Sequence, residues 1–396
     1  MIRKRVGLVA LVAGIAALAA GCGGSSSSSS GNNNTTTASS SGGGGSCGTV
    51  QLGMLAPITG PAGSIGSDQL HWAEFFVSQW NADSSNSPKL KLVQGDTQID
   101  TAKASTLAQQ FASNNSIVGV IGPAGSDEVE AVAPILKKAG LAFGSGSATR
   151  VSLTGGKWKG YFFRDVPNDG VQGPTDADYM ASTLGVKKGD SVMIVDDQES
   201  YSTGLADIVG QELKGKGVKV DRESISQKAT DFSSLTAKAG NAKVVFVPFQ
   251  LSSQAQLFAQ QLKAQGSNAV VFGSDGTFDS SKFNVTGSYI SFFAPDVTTL
   301  DSAKATVAAF KKQFPGGTSP FGAPNYVLAQ MYATAISNIC KNGDKPTRAN
   351  VRQQVMKVSL DKTLLGTPIS LTPNGDVAGA KFHIFKIENG KYVTVS

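Results

Sequence analysis

The chain has 396 residues, 40% hydrophobic and 16% charged, with 35 Lys and Arg against 29 Asp and Glu and a formal net charge of +6. That excess is too small and too scattered to form a basic patch, which argues against a nucleic-acid partner. Two His and three Cys are too few and too dispersed for a Cys-based metal site, and no cofactor is expected.

At the N-terminus, Arg3, Lys4 and Arg5 precede an apolar run from Val6 to Ala20 that leads into Gly21 and Cys22. A basic start, an apolar core and a small-residue site form an export signal; the run falls short of the roughly 20 residues a spanning helix needs. Leu18-Ala19-Ala20-Gly21-Cys22 resembles a bacterial lipobox, with Ala19 where that pattern prefers Leu. The resemblance implies that residues 1–21 are removed and that Cys22 carries a diacylglycerol, anchoring the protein to the membrane outside the cytoplasm. An ordinary cleaved signal with a chance Cys is the alternative. Losing Arg3, Lys4 and Arg5 would lower the net charge from +6 to +3.

Residues 22–46 are built almost wholly from Gly, Ser, Asn and Thr and cannot bury enough apolar surface to order themselves, so they are expected to form a tether. The tether either lets the folded part move over a membrane partner or only clears the headgroups. In an oxidising compartment the remaining pair, Cys47 and Cys340, is expected to form one disulfide. In a parallel α/β lobe the first strand starts at the edge away from the crevice, and a helix beginning at the crevice near Tyr326 ends at that same edge.

The roughly 350 residues from Cys47 onward exceed what one core supports, so two lobes are expected. Strand-like runs at 50–55, 90–93, 117–121, 191–195, 243–248 and 268–272 alternate with helical patterns near 68–81, 101–113, 127–139, 171–184, 203–215, 252–265, 301–314, 325–340 and 347–357. This alternation predicts an α/β fold of two doubly wound parallel-sheet lobes. The last thirty or so residues change character: 367–371, 381–386 and 391–395 read as short strands joined by Asn374-Gly375 and Asn389-Gly390 turns.

Open α/β sheets bind ligands in loops at the C-terminal ends of their strands. After the strand at 117–121 comes Gly122-Pro123-Ala124-Gly125-Ser126, where Ser126 would cap the next helix and offer an anion its hydroxyl and the positive end of the helix dipole. After Leu141-Ala142-Phe143 comes Gly144-Ser145-Gly146-Ser147-Ala148-Thr149, small and rich in hydroxyls. Each loop alone is also what ordinary βα turn geometry demands.

Residues 47–396 resemble the leucine/isoleucine/valine-binding proteins, type I periplasmic binding proteins that deliver amino acids and related small solutes to ABC transporters. The resemblance rests on Gly53 to Pro61, Gly144 to Thr149, Phe163-Arg164 with Pro167-Asn168-Asp169 and Gln172-Gly173, Tyr201 to Leu205, Thr230-Asp231-Phe232, Gly273 to Gly276 and Gly366-Thr367-Pro368, in family order. It implies three crossings between lobes, near 165–168, 293–297 and 363–368. Lobe 1 is then 48–165 plus 297–364, and lobe 2 is 166–296 plus 365–396. It also implies that Ser126 and Thr149 hold a ligand α-carboxylate, with Ser147 supplying backbone between them, and that Asp275 of the second lobe holds the α-ammonium. Charge complementarity agrees, because a zwitterion removed from water needs its ammonium paired and its carboxylate given donors. Asp275 stands where some relatives have Glu, and Ile65 where some have Tyr. A solvated Asp-Gly turn is the alternative for Asp275.

Tyr201 matches an aromatic that closes over family ligands. Phe249, Phe278 and Tyr326 fall in crevice loops or at a helix start and either line a side-chain subsite or pack in the core. An enzyme finds little support, because the chain has no G-x-S-x-G elbow, and His71 and His383 lie in a helical pattern and a strand rather than in a crevice loop. The resulting expectation is a monomeric, lipid-anchored, extracytoplasmic binding protein whose partners are a small-molecule ligand, the membrane and an ABC permease. A carboxylate- or amide-binding protein on the same scaffold, or a sensor that presents ligand to a signalling partner, remains open.

Overall fold

The structure, a computed structural model, describes residues 47–316, 319–379 and 381–396. The export signal, Cys22 and the tether lie outside the described residues. The first sheet is carried by β1 (Thr49–Ala56), β2 (Lys89–Asp96), β3 (Ile117–Ile121), β4 (Ala142–Ser145) and β5 (Phe162–Arg164). Its order is β2-β1-β3-β4-β5, parallel throughout. Between these strands run α1 (Gly63–Ala82), α2 (Thr101–Ser113) and α3 (Ser126–Lys138). β3 reads Ile-Val-Gly-Val-Ile and is buried along its whole length, as a central parallel strand covered on both faces must be. In α3 the buried positions Val129, Val132, Ala133 and Leu136 recur at helical spacing, with Asp127 and Glu128 in the first turn and Lys137 and Lys138 in the last.

The chain then enters α4 (Asp169–Ser182) and a second sheet, with β6 (Ser191–Asp196), α5 (Ser200–Gly215), β7 (Lys219–Ser224), α6 (Ser233–Lys238), β8 (Val244–Val247), α7 (Ser252–Ala264), β9 (Val270–Gly273) and β10 (Tyr289–Phe292). It leaves this sheet for α8 (Lys304–Gln313), α9 (Gly322–Lys341) and α10 (Arg348–Val355), of which α9 packs on α1, β3 and β4 and α10 on β3 and β4. A two-strand pairing of β11 (Ser359–Leu360) with β12 (Ile369–Ser370) follows. The chain returns to the second sheet as β13 (His383–Glu388) and β14 (Lys391–Thr394). That sheet is ordered β14-β13-β10-β9-β8-β6-β7, parallel from β7 to β10 and antiparallel at β13 and β14. Among the described residues, three connections therefore link the sheets: after β5, after β10 and between α10 and β13. The expected α/β architecture of two parallel-sheet lobes is the one present.

Several elements differ from the sequence pattern. β7 is an exposed, polar edge strand, and β10 is four residues long, so neither carries an apolar run of recognisable length. The strand expected at 367–371 shrinks to Ile369–Ser370. Residues 374–376 return to the edge of the first sheet before β13, with Arg164 N donating to Gly375 O (2.9 Å) and Gly155 N to Asn374 O (3.0 Å). Cys47, just ahead of β1, and Cys340, at the end of α9, are joined as a disulfide with Cα atoms 6.1 Å apart.

Candidate functional site

The C-terminal ends of the strands of both sheets meet around one cavity. From the first sheet, Ser126 opens α3 and Ser147 follows β4; from the second, Tyr201 is the second residue of α5 and Asp275 follows β9. The tight turn after β3 depends on Gly122, whose φ is +94° and where a Cβ would lie 1.9 Å from Leu55 O. Gly276 is equally constrained, since a Cβ there would meet Phe249 O at 2.5 Å.

Ser126 Oγ accepts from Arg150 N (3.3 Å), which leaves its own O–H free to donate into the cavity. Ser147 Oγ donates to Ala124 O (2.9 Å) and accepts from Gln69 Nε2 (2.9 Å), so its hydroxyl is a strut between loops. Ser145, which sequence reasoning passed over, ties the two loops together by donating to Pro123 O (2.6 Å) and accepting from Ala148 N (2.9 Å). Beneath them the fully buried Arg164 donates to Ala148 O and Arg150 O (each 2.9 Å) and pairs with Asp376 (2.8 Å).

On the opposite face Tyr201 donates to Asp275 Oδ1 (2.7 Å) and lies 2.6 Å from Ser274 Oγ. Burial pushes the Asp275 carboxyl up to about 6, against the lowering effect of its hydrogen bonds with Tyr201 and Gln172. Further back on α4, burial raises Asp169 to about 7, with the charge of Asp275 adding to it, and raises Asp176 well above the usual carboxylate range. One face thus presents neutral dipoles and a helix N-terminus, and the other presents one carboxyl, Asp275, backed by the buried Asp169 and Asp176, in a setting that resists its ionisation unless a cation joins it.

The remaining wall is largely apolar: Pro57, Ala62 and Ile65 from the β1–α1 region, Ile99 after β2, and Phe321 ahead of α9. Ile99 is a β-branched residue at φ +57°, a conformation such residues rarely adopt. Gln250, after β8, adds a polar group from the second sheet. The two faces also touch around the cavity, where Asp127 Oδ1 accepts from Ser200 N (2.5 Å), Arg150 donates to Ser200 O, and Ser64 Oγ donates to Asp279 Oδ2 (2.8 Å).

Of the residues singled out in the sequence, Ile65, Ser126, Ser147, Tyr201 and Asp275 come together here. Thr149 does not line the cavity; it is fully buried one step behind Ser147, its carbonyl accepting from Asp169 N (2.9 Å). Phe249 and Tyr326 are also corrected. The Phe249 ring is buried against Phe232 and Phe258, because the chain turns its backbone rather than its side chain toward Gly276. Tyr326 packs among Trp72, Phe75 and Phe76 of α1, facing helix rather than crevice. Phe278 likewise packs on Phe292, Phe385 and Tyr392. Sequence reasoning missed Pro57, Ile99, Gln250 and Phe321. The first three follow β1, β2 and β8, where the strand-end rule already pointed, and Phe321 had no local signal.

Two parallel-sheet lobes with three connections, enclosing a cavity with one polar-dipole face and one acidic face, define a two-lobed solute-binding protein. The chain belongs to the periplasmic binding protein family, whose model matches residues 49–391. That family binds solutes outside the cytoplasm and is not one of enzymes. The chain is 26% identical over 352 residues to the Leu/Ile/Val-binding protein homolog 3 of Brucella melitensis, covering 87% of this chain and 93% of that protein. Among solved structures, the branched-chain amino acid transporter substrate-binding protein LivJ of Streptococcus pneumoniae, in complex with isoleucine, superposes with a TM-score of 0.76 at 21% identity, over 88% of this chain and all of that one. The fatty acid ABC transporter substrate-binding protein of Thermomonospora curvata superposes with a TM-score of 0.78 at 20% identity, over 89% and 92%. At these identities the structures establish the fold.

Proposed function

We propose that the protein is a lipid-anchored receptor of an ABC importer that binds an amino acid, of branched-chain or similar type, between its lobes and delivers it to a membrane permease. One observation carries this reading: Asp275 and the free hydroxyl of Ser126, from different sheets, line a single cavity whose remaining wall is mostly apolar. An ammonium restores the ionised state that burial disfavours at Asp275, a carboxylate takes the donors at the start of α3, and an aliphatic side chain meets Ile65, Ile99 and Pro57. The Leu/Ile/Val-binding relative and the isoleucine-bound structural neighbour support the same class.

Ligand touching both faces stabilises a closed form that a permease recognises, and the three connections act as the hinge between lobe 1 (48–165 plus 297–364) and lobe 2 (166–296 plus 365–396). A carboxylate without an amino group is the second reading, favoured by the likeness to a fatty-acid-binding protein. A thermal-shift screen of amino acids, small carboxylates and fatty acids separates them, because a ligand at 100 times its Kd adds about 2.7 kcal/mol of stability. A best ligand lacking an amino group overturns the amino-acid reading. The anchor is tested by Cys22→Ala, which should move the protein from the membrane to the soluble or secreted fraction; an unchanged membrane fraction refutes it.

A further inference from the structure

At the end of the first sheet away from the cleft, three segments distant in sequence bring cations and aromatic rings together. α3 ends there in Lys137 and Lys138, the turn at Gly156–Trp158 and the residues up to Tyr161 precede β5, and α10 adds Arg352. Arg348, at the start of α10, ties this pole together by donating to Ile117 O at the start of β3 (3.0 Å), Ala139 O after α3 (3.0 Å) and Asn114 O after α2 (2.8 Å). Lys137 Nζ donates to Lys157 O (2.7 Å) and lies 6.0 Å from the centre of the Trp158 ring and 5.7 Å from that of Tyr161. Lys157 stands 4.9 Å from the Trp158 ring centre, and the Arg352 guanidinium 4.5 Å from that of Tyr161.

The fold thus gathers a basic patch from an excess of charge that is scattered along the sequence. Lys137, Lys138, Lys157 and Lys159 are exposed, and among the described residues none of them, nor Arg352, forms an ion pair. The acids of α3, Asp127, Glu128 and Glu130, occupy its opposite end, beside the cleft. Unpaired cations beside half-buried aromatic rings fit a layer of phosphates above hydrocarbon, because amphipathic rings settle at that boundary while the cations meet the phosphates. Residues 23–46 join the fold at this same pole, since Cys47 immediately precedes β1 and is bonded to Cys340 at the end of α9.

We propose that this pole docks on anionic phospholipid headgroups, with Lys137, Lys138, Lys157, Lys159 and Arg352 on the phosphates and Trp158 and Tyr161 at the level of the headgroups. The choice of a membrane as partner rests on the proposed anchor at Cys22, which keeps this end of the fold close to the bilayer. α3 runs from the cleft to the patch over 13 residues, about 20 Å of helix, so the docked protein holds its cleft clear of the headgroups and open to solute.

The test is vesicle co-sedimentation of residues 22–396 carrying Cys22→Ala, which retain the whole described fold and carry no lipid. Vesicles of mixed phosphatidylglycerol and phosphatidylcholine should bind this protein at least about tenfold more tightly than phosphatidylcholine alone, and high salt should abolish the difference. Lys138→Gln with Lys159→Gln, two exposed side chains, should weaken binding about tenfold or more, whereas Lys214→Gln with Lys228→Gln, the same charge change beside the second sheet, should leave it within about twofold. Equal binding to the two kinds of vesicle overturns the proposal, as does an equal loss in the control pair. Binding to soluble polyphosphate with none to vesicles overturns it in favour of an acidic polymer. Because the protein tested has no lipid, this result is separate from the fractionation of full-length Cys22→Ala, which reports on the anchor.

Discussion

The two faces of the cleft solve the same problem by different means. On the first face, small residues in the 122–126 and 144–149 loops bring backbone and hydroxyl dipoles to the cavity, held in place by Ser145 and the buried Arg164. On the second, Tyr201 positions one carboxyl, Asp275, that carries charge in a setting that disfavours it. On the proposed reading, binding energy on the first face is spread over several donors, and order depends on what lies beneath them. On the second it is concentrated in one side chain. Damage to the first face should therefore appear mainly as lost stability, and damage to the second mainly as lost affinity.

The sharpest way to break that contrast is Arg164→Met. Removing the buried guanidinium leaves the Ala148 and Arg150 carbonyls without that donor and strips Asp376 of its cationic partner, leaving it only Thr154 and Asn168, and should cost about 3–5 kcal/mol of stability by urea denaturation. A loss under about 1 kcal/mol would mean that Ser145 alone orders the first face. Asp275→Ala should leave the fold intact and cost about 2–5 kcal/mol in binding, a fall of roughly 30-fold to several thousand-fold by calorimetry with the best amino acid. An unchanged Kd would sink the assignment of the ammonium. Ser126→Ala removes one donor among several and should cost less, about 1–3 kcal/mol; a larger loss than at Asp275 would reverse the comparison.

Acidity sharpens it further. With Asp275 raised to about 6, a cationic group must displace a proton at lower pH, so amino-acid affinity should fall as pH drops below that value, and a ligand without an ammonium should show no such fall. Stability should move the other way. Asp68, Glu128 and Asp169 are each raised to about 7 by burial, so between pH 4 and 7 the native state holds protons that the unfolded chain has released. Their contribution is fully present below about pH 4 and is lost as pH rises toward about 7. The melting temperature of the ligand-free chain should accordingly be higher at pH 5 than at pH 7.5, and a rise in the opposite direction would contradict the burial of these acids.

What the sequence alone determined was local or periodic: β-α alternation, the small-residue loops after β3 and β4, Ser126 at a helix start, Asp275 after a strand, and the Cys47–Cys340 pair. Such features are set by spacing and by strand-end position, which survive without knowledge of packing. Tertiary structure decided which way side chains point and what stands behind them. Phe249 and Tyr326 lie at the expected chain positions, yet the Phe249 ring faces Phe232, just ahead of α6, and Phe258 of α7, and the Tyr326 ring faces α1. Ile99, Gln250 and Phe321 become neighbours only because three distant segments converge. The role of Arg164 and the raised pKa values of Asp169 and Asp275 were equally invisible, because burial and through-space charge belong to the folded chain and not to any stretch of sequence.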